Sequence, residues 1–191
     1  MGRASPSRNL KTRGQHSKLK IVNVVATAEI DQPVDLLKLA PVRGFLYDQA
    51  IYHCAYLKDR QTRAKVSIFS TGRMISIGAT SIEEARHDLL HAARRLAKLG
   101  IIEKARLKVK LQNIVATGDI GKHIDLDELA KKLPNTIYEP EQFPGVIYYA
   151  KELEGASILI FSSGKVVFAG IKDYGALNTG KSVLDTMARL F

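Results

Sequence analysis

The stretch "NVVATAEI" at residues 23–30 returns as "NIVATGDI" at 113–120, with five of eight positions identical. A second pair follows in the same order, "IFSTGRM" at 68–74 and "IFSSGKV" at 160–166. Two matches with conserved order and near-constant spacing imply a duplication, hence two similar structural units. The units run over 20–100 and 110–191, joined by a link at 101–109 and preceded by a tail at 1–19 that is expected to be disordered.

Each unit opens on an alternating, β-branched run, "KIVNVVATAEI" or "KLQNIVATGDI", which predicts a strand. A short helix follows, bracketed by Pro33 and Pro41 in the first copy and running from Asp125 to a stop at Pro134 in the second. Short strands come next: "AIYHCAYL", "AKVSIF" and "RMISIG", then "GVIYYAK", "ASILIF" and "KVVFAG". Gly72 and Gly164 supply the tight turns between the last two strands of each copy. Each unit closes with a helix. The first has a Ser81/Glu84 capping box, an apolar stripe of Ile82, Ala85, Leu89, Ala93 and Leu96, and a stop at Gly100. The second carries Leu177, Leu184, Met187 and Phe191, with Gly180 read as a tolerated break. The pattern predicts an α+β protein with antiparallel strands and helices packed on one face.

A chain of 191 residues, 46% hydrophobic and 25% charged, can bury a real core. No run of about 18 apolar residues exists to span a membrane, and the first residues lack the apolar segment of a signal peptide. Cys54 is the only cysteine, so there is no internal disulfide and no cysteine metal cluster. An intracellular protein is expected. The net charge of +10 is uneven: +5 in the tail, +4 in 20–100, +2 in the link and −1 in 110–191. Such asymmetry suggests a polyanionic partner, because Lys and Arg gain affinity by releasing counterions from phosphates.

Alternation sorts the strand residues between two faces. Asn23, Val25 and Thr27 point one way, and Val22, Val24 and Ala26 the other; Asn113, Val115 and Thr117 repeat the first set. Phe69, Thr71, Arg73 and Ile75 share a face, as do Phe161, Ser163, Lys165 and Val167. If helices cover the opposite side, this face shows solvent apolar groups, amides, hydroxyls and isolated cations. Such a surface marks a binding site, or else a second covering layer or dimer interface.

The duplicated "N-[VI]-V-A-T" strand, "YEPEQFPGVIYY" at 138–149 and "ILIFSSGKVVFAG" at 158–170 resemble the TATA-box-binding protein family, more archaeal than eukaryotic in type. The resemblance covers about 20–191 and is stronger in the second half. It implies a pseudo-twofold saddle: a curved antiparallel sheet whose concave face enters the DNA minor groove, with helices on the convex face. Minor-groove kinking and β-sheet readout by this family are standard examples of such binding. The resemblance assigns base contacts to Asn23, Val25, Thr27, Asn113, Val115 and Thr117, and phosphate contacts to Arg73 and Lys165. Thr71, Ile75, Ser163 and Val167 complete the surface. Aromatic wedges come in pairs; Phe143, followed by Pro144, and Phe161 match the second pair, while Phe69 and Ile51 stand at the first. The family places Thr before the glycine of each last strand, where this chain has Ile77 and Ala169. Family arginines after the third-strand aromatic are replaced by Leu57 and Tyr149.

By the same resemblance Glu139, Glu141 and Gln142 form the loop gripped by transcription factor B. The function implied is a general initiation factor, not an enzyme and without a cofactor. It would bind and bend A/T-rich promoter DNA, recruit transcription factor B and enter the RNA polymerase pre-initiation complex. It would act in the cytoplasm at the nucleoid, or in the nucleus if eukaryotic. The alternative is an adaptor of the same fold that binds transcription proteins with weak or altered DNA binding.

Three other patterns compete. "GALNTGKS" at 175–182 fits the phosphate-loop motif letter for letter, but only nine residues follow it and no β-α-β context surrounds it. It is read as part of the closing helix. Glu83, His87 and His91 share a helical face at metal-ligand spacing, more simply a solvated face. His53 and Cys54 are adjacent in a strand and point to opposite sides, a poor catalytic pair, and His16 and His123 have no evident partner.

Overall fold

The computed structural model describes residues 19–104 and 106–190; the expected basic tail lies outside the described residues except for Leu19, as does Phe191. The first unit contains β1 (Lys20–Glu29), a 3-10 turn (Leu36–Leu39), β2 (Phe45–Leu46), β3 (Ala55–Leu57), β4 (Lys65–Ile68), β5 (Arg73–Ala79) and α1 (Ile82–Lys98). The second repeats the order as β6 (Lys110–Asp119), α2 (Leu126–Lys132), β7 (Thr136–Ile137), β8 (Gly145–Tyr148), β9 (Ser157–Phe161), β10 (Lys165–Ile171) and α3 (Tyr174–Leu190). All ten strands form one curved antiparallel sheet in the order β2-β3-β4-β5-β1-β6-β10-β9-β8-β7. That order is symmetric about the β1–β6 seam, so the two units meet strand to strand and make an α+β saddle.

One face of the sheet is covered. α1 packs on β5, β1 and β4, α3 on β10, and α2 on β8. Beneath them Val24, Ala26, Val66, Ile68, Met74, Ile114, Ala116, Ile158, Ile160, Val166 and Phe168 are fully buried. Burying a large side chain of this kind contributes about 1.5–3 kcal/mol, so this layer is the main source of stability. Among the described residues no element covers the other face.

The structure corrects three local expectations. Val22 does not join Val24 and Ala26 in the core: it is 40% exposed, because the β1–β6 register slips between Ile21 and Asn23. Such a slip places an extra residue in the strand and shifts the alternation by one. Ile21, not Val22, packs against the core, and Leu111 does the same in β6. The first short helix is only a 3-10 turn. It spans four residues and closes on an Ala40 N–H to Leu37 O bond just before Pro41, whereas α2 runs for seven residues and ends where Leu133, before Pro134, turns extended. Finally, Gly180 is no break. It is buried within a continuous α3, and a Cβ there would sit 3.2 Å from the Phe168 ring, so glycine lets the helix lie close on the sheet.

The phosphate-loop pattern therefore lies inside a helix, and two of the amides in its first turn are already taken. Ala176 N–H donates to Asp173 Oδ1 at 2.8 Å and Leu177 N–H to Asp173 O at 3.2 Å. Gly180→Leu is expected to cost about 1–3 kcal/mol by overpacking. Lys181→Ala, at an exposed site, is expected to change stability by less than about 0.5 kcal/mol. Thermal denaturation checks both, and saturable ATP binding abolished by Lys181→Ala would overturn the helical reading.

α1 is tied to the loop after β3 by two carboxylates. Buried Asp88 accepts Ala64 N–H at 2.6 Å and Arg63 N–H at 3.2 Å. Asp59 Oδ2 meets His91 Nε2 at 2.9 Å and Arg95 Nη1 at 3.0 Å. Burial pushes the Asp59 carboxyl up, but the hydrogen bonds of His91, the Gln61 amide and Arg95 outweigh it and hold the group below its ordinary range. His87 and His91 stack in parallel, 6.3 Å apart, with separate carboxylate partners. Among the described residues no three His, Cys, Asp or Glu side chains form a potential metal site.

Candidate nucleic-acid interface

The uncovered face is built outward from the β1–β6 seam. Asn23 stands opposite Val115, and Val25 opposite Asn113, an exchange that puts the pseudo-twofold axis at Val24 and Ile114. On one side Thr27 lies between Ile75 and Lys110; on the other Thr117 lies between Val167 and Lys20. Asn23, Val25, Thr27, Asn113, Val115, Thr117, Ile75 and Val167 are all half-buried by their neighbours and open to solvent. Thr71, Arg73, Ser163 and Lys165 are exposed along the rims.

The central amides are held differently. Asn23 Oδ1 accepts the Gly78 N–H at 2.9 Å, which leaves its NH2 as the end without a partner among the described residues. Asn113 Oδ1 is buried and has no hydrogen-bond partner among the described residues. Thr27 Oγ1 accepts from Gln112 Nε2 at 2.8 Å, so Gln112 also belongs to this face. Gln112 holds the place in β6 that the displaced Val22 holds in β1, and alternation alone missed both.

At the far end of the second unit, Phe143 and Phe161 pack edge to face, with centroids 5.8 Å apart and planes at 62°. Gly145 makes this possible: a Cβ there would approach the Phe143 ring and the Ile160 carbonyl oxygen to 2.9 Å. Pro144 is exposed between them. The first unit is built otherwise. Tyr52 and Phe143 each donate an amide to a carbonyl four residues back, Asp48 and Glu139 respectively. Tyr56 and Ile147 pair with Leu46 and Ile137 in matching positions. Tyr52 therefore corresponds to Phe143, and Ile51, 66% exposed on the turn, corresponds to Gln142. By the same register Lys58, not Leu57, matches Tyr149, so a cation is retained there. Counting from Tyr47 and Tyr138, rather than from the strands, would have revealed this alignment in the sequence. Cys54 takes the place of Gly145, and Tyr52 packs on Tyr56 instead, with centroids 5.5 Å apart at 87°. Lys65 Nζ caps the Tyr56 ring at 4.6 Å.

Comparison with known proteins matches this architecture. The family model described as "Transcription factor TFIID (or TATA-binding protein, TBP)" matches residues 18–99 and again 108–189. The chain belongs to this family. A TATA-box-binding protein of Cenarchaeum symbiosum is 35% identical over 90% of this chain and 93% of its own. One from Pyrococcus furiosus is 38% identical over 81% of each. The solved structure titled Methanococcus jannaschii TBP superposes with a TM-score of 0.77 at 34% identity, over 90% of this chain and 99% of that one.

The family is one of archaeal and related transcription factors, not enzymes, which agrees with the helical place of residues 175–182. The rim cations of this TATA-binding family member are not alike. Arg73 Nη2 lies 3.1 Å from Glu29 Oε1, whereas no described ion pair involves Lys165. Both partners of the Arg73–Glu29 pair are exposed, so the pair is weak and open to displacement by a phosphate. The two end turns share a backbone but not a chemistry. Glu139, Glu141 and Gln142 are exposed on one; Asp48, Ala50 and Ile51 occupy the other. No helix among the described residues is long and apolar enough to cross a membrane.

Proposed function

We propose that this protein is a general transcription initiation factor that binds and bends A/T-rich promoter DNA through the minor groove. One observation carries the reading: Asn23 presents an NH2 donor, its oxygen being held by Gly78, at the centre of an uncovered sheet of small apolar side chains. An A·T pair shows only acceptors in the minor groove, and a G·C pair adds a guanine amino donor. A fixed donor among valines therefore accepts A·T and is blunted by G·C. Val25, Val115, Thr27 and Thr117 line that contact, with Ile75, Val167, Thr71 and Ser163 around it. Phe143 with Pro144, Phe161, Phe69 and Tyr52 serve as wedges that open base steps; Arg73 and Lys165 meet phosphates. Glu139, Glu141 and Gln142 form the site for transcription factor B, through which the complex reaches RNA polymerase.

The test is a gel-shift titration on matched A·T-rich and G·C-rich duplexes, with and without transcription factor B. The expected result is A·T preference and a slower-migrating complex with the added factor. Asn23→Asp, which turns the donor into an acidic acceptor, should weaken A·T binding by about 1–3 kcal/mol, roughly tenfold or more. Equal binding of both duplexes, untouched by Asn23→Asp, would remove the reading.

A further inference from the structure

We infer that Arg106 and Lys108, in the link between the two units, form a phosphate track that extends the duplex interface beyond the sheet. The inference rests on the duplex-binding reading above. In the link, Leu107 and Val109 pack against the core while Arg106, Lys108 and Lys110 are exposed, which continues the alternation of β6 backward. In extended chain, at about 3.3 Å per residue, alternate side chains stand roughly 6.6 Å apart, and the burial of residues 106–110 follows that alternation up to the start of β6. That interval lets neighbouring cations reach adjacent phosphates of a strand.

The line runs into the uncovered face. Arg106, Lys108 and Lys110 share a cleft of about 640 Å³ with Thr27, Ile75 and Arg73, all on or at the rim of the proposed interface. Two carboxylates, Glu29 and Asp31, line the same cleft, and Arg73 already engages Glu29. Four cations against two carboxylates leave a positive surplus, and none of the six described ion pairs takes up Arg106, Lys108 or Lys110. The cleft at the corresponding place on the other half holds Lys20 and Lys165 against Asp119. What the link adds is the outer pair, which lies off the sheet. Its partner is the phosphate backbone of a duplex that runs past the segment read by the sheet.

The test compares the unaltered full chain with Arg106→Gln/Lys108→Gln across a salt series. One duplex is limited to the A·T-rich segment, and one carries that segment with flanks on both sides. Each phosphate contact contributes a slope of about −0.9 in log K against log salt. On the flanked duplex the double variant should be shallower by about 2 and bind roughly tenfold or more weakly at low salt. On the short duplex the two proteins should agree. Lys131→Gln/Lys172→Gln, which removes the same charge from exposed sites outside the cleft, should leave both slopes unchanged. Equal slopes for the link variant and the unaltered chain on the flanked duplex, or the same change with the control variant, overturn the track alone. Failure of the unaltered chain to bind either duplex overturns the track together with the duplex reading.

Discussion

Replacing Phe143 and Phe161 together by alanine is expected to abolish detectable duplex binding while the protein remains folded. Both rings are half-buried and stand edge to face at the end of the uncovered sheet, positioned by Gly145. An aromatic ring stacked on a base is worth about 1–3 kcal/mol by alanine substitution. Losing two wedges should cost about 3–5 kcal/mol, more than a hundredfold in Kd. The cost to folding is about 2–4 kcal/mol, from the area of two half-buried rings plus their pairing, which a domain stable by about 5–15 kcal/mol can lose and stay folded. Far-UV circular dichroism should stay unchanged while the gel shift disappears. The matching change in the first unit, Tyr52→Ala with Phe69→Ala, should cost less, because Tyr52 packs on Tyr56 rather than joining a second phenyl ring. Full-affinity binding by the Phe143/Phe161 variant would rule out wedging at this end of the saddle.

Asp88→Ala is expected to be the most destabilising single change outside the apolar core. Its carboxylate is fully buried and satisfies the amides of Arg63 and Ala64, joining α1 to the β3–β4 loop. Removing it strands two amides. At about 1–3 kcal/mol for an unsatisfied buried group, the net loss should be roughly 2–4 kcal/mol. For a chain of this size that lowers Tm by about 5–15 °C. Asp88→Asn keeps one acceptor and should lose roughly half as much. A thermal melt of each variant decides it; a melt of Asp88→Ala within about 1 °C of the unaltered protein would show the contact to be dispensable.

Much of this was legible in the chain before any coordinate. The duplication set the element order, alternation placed Asn23, Val25 and Thr27 on one face with their repeats, and the Ser81 cap started α1 where expected. These are local properties: side-chain direction in a strand has period two, and a cap is a bond between residues three apart. Two-residue strands such as β2 and β7 are too short to carry a periodic signal, and they exist because β3 and β8 offer them open edges.

What tertiary structure alone decided lies where one strand meets another. Val22 faces solvent because β1 must stay in register with β6 across a slip, and Tyr52 replaces Ile51 because the turn after Tyr47 is set by its bonds to Asp48. Asn23 became a donor only when Gly78, fifty-five residues away in sequence, took its oxygen. Gly180, a helix breaker by propensity, serves as the point where α3 lies on Phe168. Each outcome depends on a partner distant in sequence, and pairing between strands is a long-range choice that no local pattern encodes.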